Sequence, residues 1–491
     1  MAHIISGAAG SGKTTALYSL LKTDKGNKIL LVPDQFVFES ERRVADELGE
    51  KTSDITVTGF MSLSEQILKK YCPRKTYADN TAKLAIMSRA IKSLSQSFSF
   101  YGSAARKPGF VSVCLSGVDT LKNAGISPQR MYDLISADDT ASSAPTHFTD
   151  KMHDIALFYS LYDKMLTELY DDRQDNLLLA ARAIEENDCF PENTRVYIDG
   201  FDSFSGAQKE FLRAMADKGV DFTVAVCTDD SGAEIFSECD KTKALFENKY
   251  AMDCGKPQKT EYTKLGNSAV RYKNDTLRVL RDFLQGEKAE KPADSHGITL
   301  AYSHNMSGEA DFVCANIRKL VRYEGYRYSD IAVICAAPAK YRDAVRSAAL
   351  RYEVPMFVDL PEPVSEKPLL RYLDCLLCAA EDPRGINIIR YIRSGFARIP
   401  SDKKEGKTVP LTLRDQHITE EYANRWDLKN RRWDRPFPHI TDDVERTVEN
   451  IRDKTVTPLI QFEKSVRNAG GKELVKRFAE FLFDKADISA A

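Results

Sequence analysis

The sequence has 491 residues, 43% of them apolar and 29% charged, with a formal net charge of −2 that excludes a globally basic nucleic-acid binder. At roughly 100–200 residues per domain, this length predicts about three or four globular units. No apolar run approaches the roughly 18 residues that span a bilayer, and the first residues lack the pattern of a signal peptide. We therefore expect a cytoplasmic protein without membrane contact.

The first elements alternate between strands and helices. Apolar runs predict strands at 3–6, 28–32 and 55–58, and the segments between them predict helices at 14–21 and 39–48. Such an alternation is typical of a parallel sheet with helices on its faces.

The turn after the first strand carries a complete P-loop motif, G-x-x-x-x-G-K-[ST], at residues 7–14. Its glycines allow the backbone to approach a ligand closely, and its N–H groups together with the helix N terminus form an anion site. Lys13 provides positive charge for the β- and γ-phosphates, and the Thr14 hydroxyl can ligate Mg²⁺. We predict an ATP site formed by Gly7, Ala8, Ala9, Gly10, Ser11, Gly12, Lys13, Thr14 and Thr15.

Helical periodicity dominates residues 76–190, and the Ser- and Ala-rich stretch 136–145 within them is predicted to be disordered. Strand signals return at 196–198 and 222–227, so we interpret the helical block as an insertion into the first sheet.

The strand Val196–Ile198 is followed by Asp199, which is our candidate for holding Mg²⁺ with Thr14. An ordinary strand-end aspartate in a turn is the alternative. Nucleic-acid translocases usually carry glutamate next, to orient the attacking water. Here that position is Gly200.

The rest of the chain predicts a second α/β unit after a polar linker at 254–296. Its expected elements are strands at 298–302 and 331–335 and a helix at 308–323, followed by charged helices. Cys375 and Cys378 form a C-x-x-C within an apolar helix, where core packing is favoured over a metal or redox role.

A basic segment runs from Arg384 to Arg435, with thirteen Lys/Arg against seven Asp/Glu and interleaved aromatic residues. Basic side chains neutralise phosphates and aromatic rings stack on unpaired bases. A solvated, charge-rich surface without a nucleic-acid partner explains the same composition equally well.

Several blocks, in order, resemble the N-terminal part of the AddB (RexB) family, whose members are subunits of the bacterial AddAB helicase–nucleases. Besides the motif at 7–14, these are the LLVPDQ stretch at 30–35, VTGFMSL at 57–63, VYIDGFDSF at 196–204 and YRYSDIAVI at 326–334. The resemblance implies the α/β fold of a superfamily-one helicase, with two RecA-like P-loop units that have parallel sheets and mostly helical inserted subdomains. The expected divisions are 1–75 and 191–290 for the first RecA-like unit (1A), 76–190 for its insertion (1B), 291–395 for the second unit (2A) and 396–491 for a truncated helical subdomain (2B).

The resemblance also implies partners and cofactors. It implies an AddA-type subunit in a heterodimer, double-strand DNA ends and single-stranded DNA as substrates, and ATP with Mg²⁺. Full-length members carry a nuclease domain and an iron–sulfur cluster, which we expect this chain to lack. The arginine of active helicases falls at Ala336, so the family's disabled motor, which holds and scans DNA, is the favoured interpretation. The expected DNA-binding residues are Gln35, Phe60, Ser62, Arg390, Arg393, Arg431, Arg432 and Trp433, with core packing as a nearly equal alternative for Phe60.

Three other functions stay open. The chain could be an autonomous DNA-stimulated ATPase or helicase, with Lys13 and Asp199 as catalytic residues. It could be a non-enzymatic scaffold with a structural nucleotide. A small-molecule kinase would need a catalytic acid and a lid, for which the sequence offers no clear candidates.

Overall fold

The computed structural model describes residues 2–49, 54–107, 109–139, 146–229, 231–247, 260–265, 274–284, 297–358, 364, 367–401 and 408–487. The chain divides into two compact units, residues 1–300 and 301–491. Among the residues just given, no helix is long and apolar enough to cross a membrane.

The first unit is built on a six-stranded parallel sheet with the strand order β3-β2-β4-β5-β1-β6. The strands are β1 (Ala2–Gly7), β2 (Lys28–Leu31), β3 (Ile55–Thr58), β4 (Arg195–Ile198), β5 (Asp221–Cys227) and β6 (Thr260–Lys264). The helices are α1 (Lys13–Thr23), α2 (Val37–Leu48), α3 (Phe60–Tyr71), α4 (Asn80–Leu94), α5 (Phe110–Asn123), α6 (Pro128–Asp139), α7 (Thr146–Leu169), α8 (Asn176–Glu186), α9 (Gly206–Asp217), α10 (Ser237–Glu247) and α11 (Asp275–Leu284). This arrangement confirms the α/β prediction and is consistent with a RecA-like helicase-type fold.

Successive strand residues face opposite sides of the sheet, and both sides are buried. Ile5, Leu30 and Tyr197 pack with α1 and α2, whereas their neighbours Ile4 and Val196 belong to the core formed with α3, α8 and α9. Burial on both faces explains why the inner strands β1, β2, β4 and β5 are rich in apolar residues.

The helical insertion has a core of its own, made by α4, α5, α6 and α7. α8 packs instead with α3 and α9 against the sheet. The predicted disordered stretch 136–145 is helical up to Asp139, and its remaining residues lie outside the described part of the chain.

Two segments differ from the sequence-based expectation. Residues 260–264, inside the predicted linker, form β6, which pairs in parallel with β1. The predicted strands at 298–302 and 331–335 are not strands, and Leu300 and Ile334 are 78% and 96% exposed. A strand needs a neighbouring backbone to satisfy its N–H and C=O groups, and no described segment of the second unit pairs with either.

The second unit is mostly helical. Its helices are α12 (Met306–Tyr323), α13 (Pro338–Arg351), α14 (Pro368–Glu381), α15 (Gly385–Ile392), α16 (Leu413–Arg425), α17 (Asp443–Val466) and α18 (Gly471–Glu480), with a hairpin of β7 (Arg398–Pro400) and β8 (Thr408–Pro410). Cys375 and Cys378 lie in α14, and the described residues contain no His/Cys/Asp/Glu cluster suited to a metal ion.

A buried lysine connects the insertion to the segment that leads back to the sheet. The Lys122 ammonium lies 2.6 Å from Asp175, 3.0 Å from Asp163 and 3.1 Å from Asp172, and Asp172 also binds Lys83 at 2.5 Å. Burial alone would lower the pKa of Lys122, but these carboxylates hold it above its ordinary value. Charges buried in this way stabilise a fold only while they remain paired.

We expect Lys122→Ala to reduce the free energy of unfolding by about 3 kcal/mol or more, because it leaves buried carboxylates without a counter-ion. Urea unfolding at pH 7 measures the change, and Lys92→Ala on the exposed side of α4 is the control. Equal stability of the two variants would show that the cluster does not anchor the insertion.

Candidate nucleotide site at the carboxyl edge of the sheet

The carboxyl ends of parallel strands meet at one edge of a sheet, which is where ligands bind in open α/β folds. At this edge β1 leads into the loop of residues 8–12, and β4 leads into Asp199. Only β5 separates these two strands, so the loop and Asp199 lie close together.

The loop has the backbone conformation that its glycines make possible. Gly10 and Gly12 have φ angles of 79° and 93°, which residues with a Cβ rarely adopt. A Cβ on Gly7 would lie 2.4 Å from the Ser11 hydroxyl oxygen. The loop therefore closes tightly, and Gly12 precedes the first turn of α1 with its unpaired N–H groups.

The donors at this loop fit a polyphosphate. Lys13 Nζ donates to the carbonyl oxygens of Gly7 and Ala8 at 2.9 and 2.8 Å. The Ser11 hydroxyl is buried and has no hydrogen-bond partner among the described residues. Phosphate oxygens would be better acceptors for Lys13 than neutral carbonyls, because bonds to charged acceptors are shorter and stronger. They would also give the Ser11 hydroxyl an acceptor.

Asp199 contacts the P-loop helix directly. Its carboxylate lies beside the Thr14 hydroxyl, so the two predicted magnesium ligands are brought together. Burial raises the pKa of Asp199, while the Thr14 hydroxyl, the Gly200 N–H and the charges of Lys13 and Arg43 oppose that rise. A buried carboxylate next to a hydroxyl offers the oxygen ligands that a hard cation prefers.

Tyr18 and Arg43 also lie at this site and were not predicted from the sequence. The Arg43 guanidinium carbon lies 4.3 Å from the centre of the Tyr18 ring, and Arg43 Nε donates to Glu47 at 2.7 Å. Tyr18 lies in α1 and packs in the same core as Val44 of α2. Neither residue belongs to the motif, and only the packing of α1 on α2 brings them to Asp199.

The predicted DNA-binding residues of the first unit fall into two groups. Gln35 follows β2 and Ser62 lies in the first turn of α3, and both are exposed at the carboxyl edge. Phe60 is only 3% exposed, and its ring packs edge-on against Phe201 and Phe204 at 5.3 and 5.9 Å. The structure therefore favours the core-packing alternative for Phe60 over DNA contact, because a buried ring cannot stack on a base.

The basic segment of the second unit is more neutral than its composition suggests. Arg393 pairs with Glu420 at 2.9 Å, and Arg432 pairs with Asp434 at 3.2 Å. Arg390 and Arg431 are exposed and form no ion pair with a described residue.

Trp433 is fully buried, and its indole N–H donates to the Leu428 carbonyl at 3.1 Å. A Cβ on Gly385 would lie 2.6 Å from the indole nitrogen, so the ring packs directly on the start of α15. Trp433 is thus a core residue and not the base-stacking residue expected from the sequence.

The chain is similar to curated proteins over most of its length. It is 25% identical over 508 aligned residues to proteins that are named as one subunit of an ATP-dependent helicase/deoxyribonuclease, from Bacillus mycoides (strain KBAB4), Bacillus cereus (strain G9842) and Bacillus anthracis. Each alignment covers 95% of this chain and 42% of the relative, so the chain spans less than half the length of these proteins. The family model described as ADDB, N-terminal, matches residues 4–279, which include the sheet, the P-loop and Asp199. The chain belongs to this AddB N-terminal family.

Proposed function

We propose that this chain binds ATP with Mg²⁺ and serves as the ATP- and DNA-binding part of one subunit of a heterodimeric helicase–nuclease. The observation that carries the proposal is a complete P-loop at the carboxyl edge of the sheet, with Asp199 beside the Thr14 hydroxyl. The names of the relatives, which describe one subunit of an ATP-dependent helicase/deoxyribonuclease, support the assignment to such a complex.

The residues present suit the proposed ligand. The loop N–H groups and Lys13 would bind the phosphates, and Thr14 and Asp199 would hold the metal ion. A bound ATP–Mg²⁺ would supply a transferable phosphoryl group. Arg43 would offset the charge of Asp199 from the α2 side, in addition to Lys13.

Turnover is less well supported than binding. Gly200 occupies the position where translocases place a catalytic glutamate, and its φ angle of 81° disfavours any side chain there. Ala336 replaces the arginine that the family resemblance leads us to expect in the second unit. Both features support a disabled motor that holds and scans DNA during the processing of double-strand breaks for recombinational repair.

The DNA-binding part of the proposal rests on exposed side chains in each unit. In the first unit Phe36 and Phe38 are exposed on either side of Val37, next to Gln35, and aromatic rings of this kind stack on unpaired bases. In the second unit, Arg390 and Arg431 provide charges for phosphates. Ser62 and the paired residues Arg393 and Arg432 would contribute less.

The proposed assembly follows from the family and extends beyond this chain. An AddA-type subunit would be the partner, and double-strand ends and single-stranded DNA would be the substrates, in the cytoplasm. The iron–sulfur cluster and the nuclease domain belong to full-length family members, and we assign neither to a residue of this chain. An autonomous ATPase is the second candidate, because Lys13, Thr14 and Asp199 retain the arrangement that such an enzyme needs.

We expect Lys13→Ala to weaken ATP binding at least about tenfold, since a charged donor to phosphate contributes about 1.5–3 kcal/mol. Titration with a fluorescent ATP analogue in the presence of Mg²⁺ measures the loss, and Lys25→Ala in the exposed loop after α1 is the control. Mg²⁺-dependent binding that is the same in both variants would contradict the assignment of the P-loop.

We expect Asp199→Asn to abolish the Mg²⁺ dependence of ATP binding and to raise the melting temperature of the ligand-free protein at pH 7. Because the pKa of Asp199 is raised in the folded state, its stability contribution is full below the ordinary value of 3.8 and is lost as pH rises through the folded pKa. The melting temperatures should therefore converge near about pH 4. A variant that melts lower than the parent at pH 7 would contradict this account of Asp199.

We expect Gly200→Glu to remain without appreciable ATP turnover and to lose about 1–2 kcal/mol of stability, because the left-handed backbone strains any residue with a Cβ. A Cβ there would also lie 3.3 Å from Pro33 Cδ. Phosphate release with single-stranded DNA and urea unfolding measure the two effects. Robust hydrolysis by the parent chain that Lys13→Ala abolishes would replace the disabled motor with the autonomous ATPase.

A further inference from the structure

A basic groove lies between α12 and α13 in the second unit, outside the segment Arg384–Arg435. It consists of two adjoining cavities of about 360 and about 990 Å³, and both are lined by Arg318 and Glu353. The described residues around them include six basic side chains and one acidic side chain, Glu353; the basic ones are Arg318, Lys319, Arg322, Arg342, Arg346 and Arg351.

Arg342 carries a donor that the described residues do not satisfy. Its Nε is buried and has no hydrogen-bond partner among them. A buried donor without an acceptor costs about 1–3 kcal/mol, so a native protein usually provides an acceptor from another source. The guanidinium group matches the planar, two-oxygen face of a phosphate.

Two other arginines of the groove differ in how firmly they are held. Arg318 makes a long hydrogen bond of 3.4 Å to the Tyr328 hydroxyl and lies 3.8 Å from Glu353. Arg351 pairs with Asp311 on α12. The positive charge best placed for a ligand is therefore that of Arg318 and Arg342, and a single carboxylate opposes it.

The groove also has an apolar floor and an aromatic rim. Buried Ala349 and Val354, together with Met356, line the larger cavity, and apolar surroundings strengthen the attraction between opposite charges. Tyr323, which is 74% exposed, lines the smaller cavity beside Arg322. Phosphate-binding arginines beside an exposed ring are typical of surfaces that bind single-stranded nucleic acid.

We propose that this groove between α12 and α13 binds the phosphodiester backbone of single-stranded DNA, with Arg342 as its central phosphate contact and Tyr323 as a base-stacking residue. The inference rests on the proposed DNA-binding function and assigns it a surface that the sequence did not indicate. Two adjoining basic cavities favour several linked phosphates over one free phosphate ion.

The test uses the full chain and a fluorescently labelled oligothymidylate, with affinity measured by anisotropy between about 50 and 200 mM salt. We expect Arg342→Gln to weaken binding about fourfold at about 0.15 M salt and to reduce the slope of log affinity against log salt by about 0.7, the value for one lost phosphate contact. Glu353→Gln should strengthen binding, since it removes the one opposing charge. Arg446→Gln, an exposed arginine on α17, is the matched control.

The outcomes separate the groove from the broader function. If the parent chain binds the oligonucleotide and Arg342→Gln and Glu353→Gln both behave like the control, the groove proposal is wrong and the DNA-binding function stands. If the parent chain binds no oligonucleotide, both fail. Arg342→Lys keeps the charge and should therefore retain the salt slope of the parent. A smaller slope in Arg342→Lys would overturn the assignment, because it would show that substitutions at Arg342 act through a folding defect. Displacement of the oligonucleotide by inorganic phosphate at constant ionic strength would identify a free-anion site instead.

Discussion

Burial of the parallel sheet on both faces is the constraint on which the candidate nucleotide site depends. With helices covering Ile4 on one side and Ile5 on the other, the inner strands expose little besides their ends. The loops at the carboxyl edge are then the places where polar groups converge, and the P-loop, Asp199, Gln35 and Ser62 all lie there. Because one strand separates β1 from β4, Thr14 can reach Asp199 without distorting the sheet.

Much of the first unit could be predicted because its signals are local. Short apolar runs between turn residues predicted five of the six strands, and a contiguous motif indicated the P-loop. β6 was missed because Thr-Glu-Tyr-Thr-Lys has no apolar run, which is typical of a strand at the edge of a sheet. Tyr18 and Arg43 could not be predicted, since their place beside Asp199 depends on how two helices pack.

Aromatic residues were the main source of error in the site. At Phe60 and Trp433, base stacking and core packing both favour an aromatic residue, so the sequence does not distinguish the two roles. Their burial in the structure does. In the second unit, the apolar runs at 298–302 and 331–335 looked like strands because sequence patterns report hydrophobicity. They do not report whether a neighbouring strand is present to complete the hydrogen bonds.

The place of the helical insertion in the chain has a consequence for how the nucleotide site assembles. β4 pairs with β2, although the whole insertion separates them in sequence, and Arg195 and Tyr197 of β4 both bind Asp24 after α1. The P-loop is therefore synthesised long before the strand that carries its acidic partner. Closing so long a loop carries an entropic cost, so we expect pairing of β4 to be a late folding event. Until then the glycine-rich turn lacks the carboxylate that we propose for a metal ion, so the proposed nucleotide binding would report completed folding of the first unit.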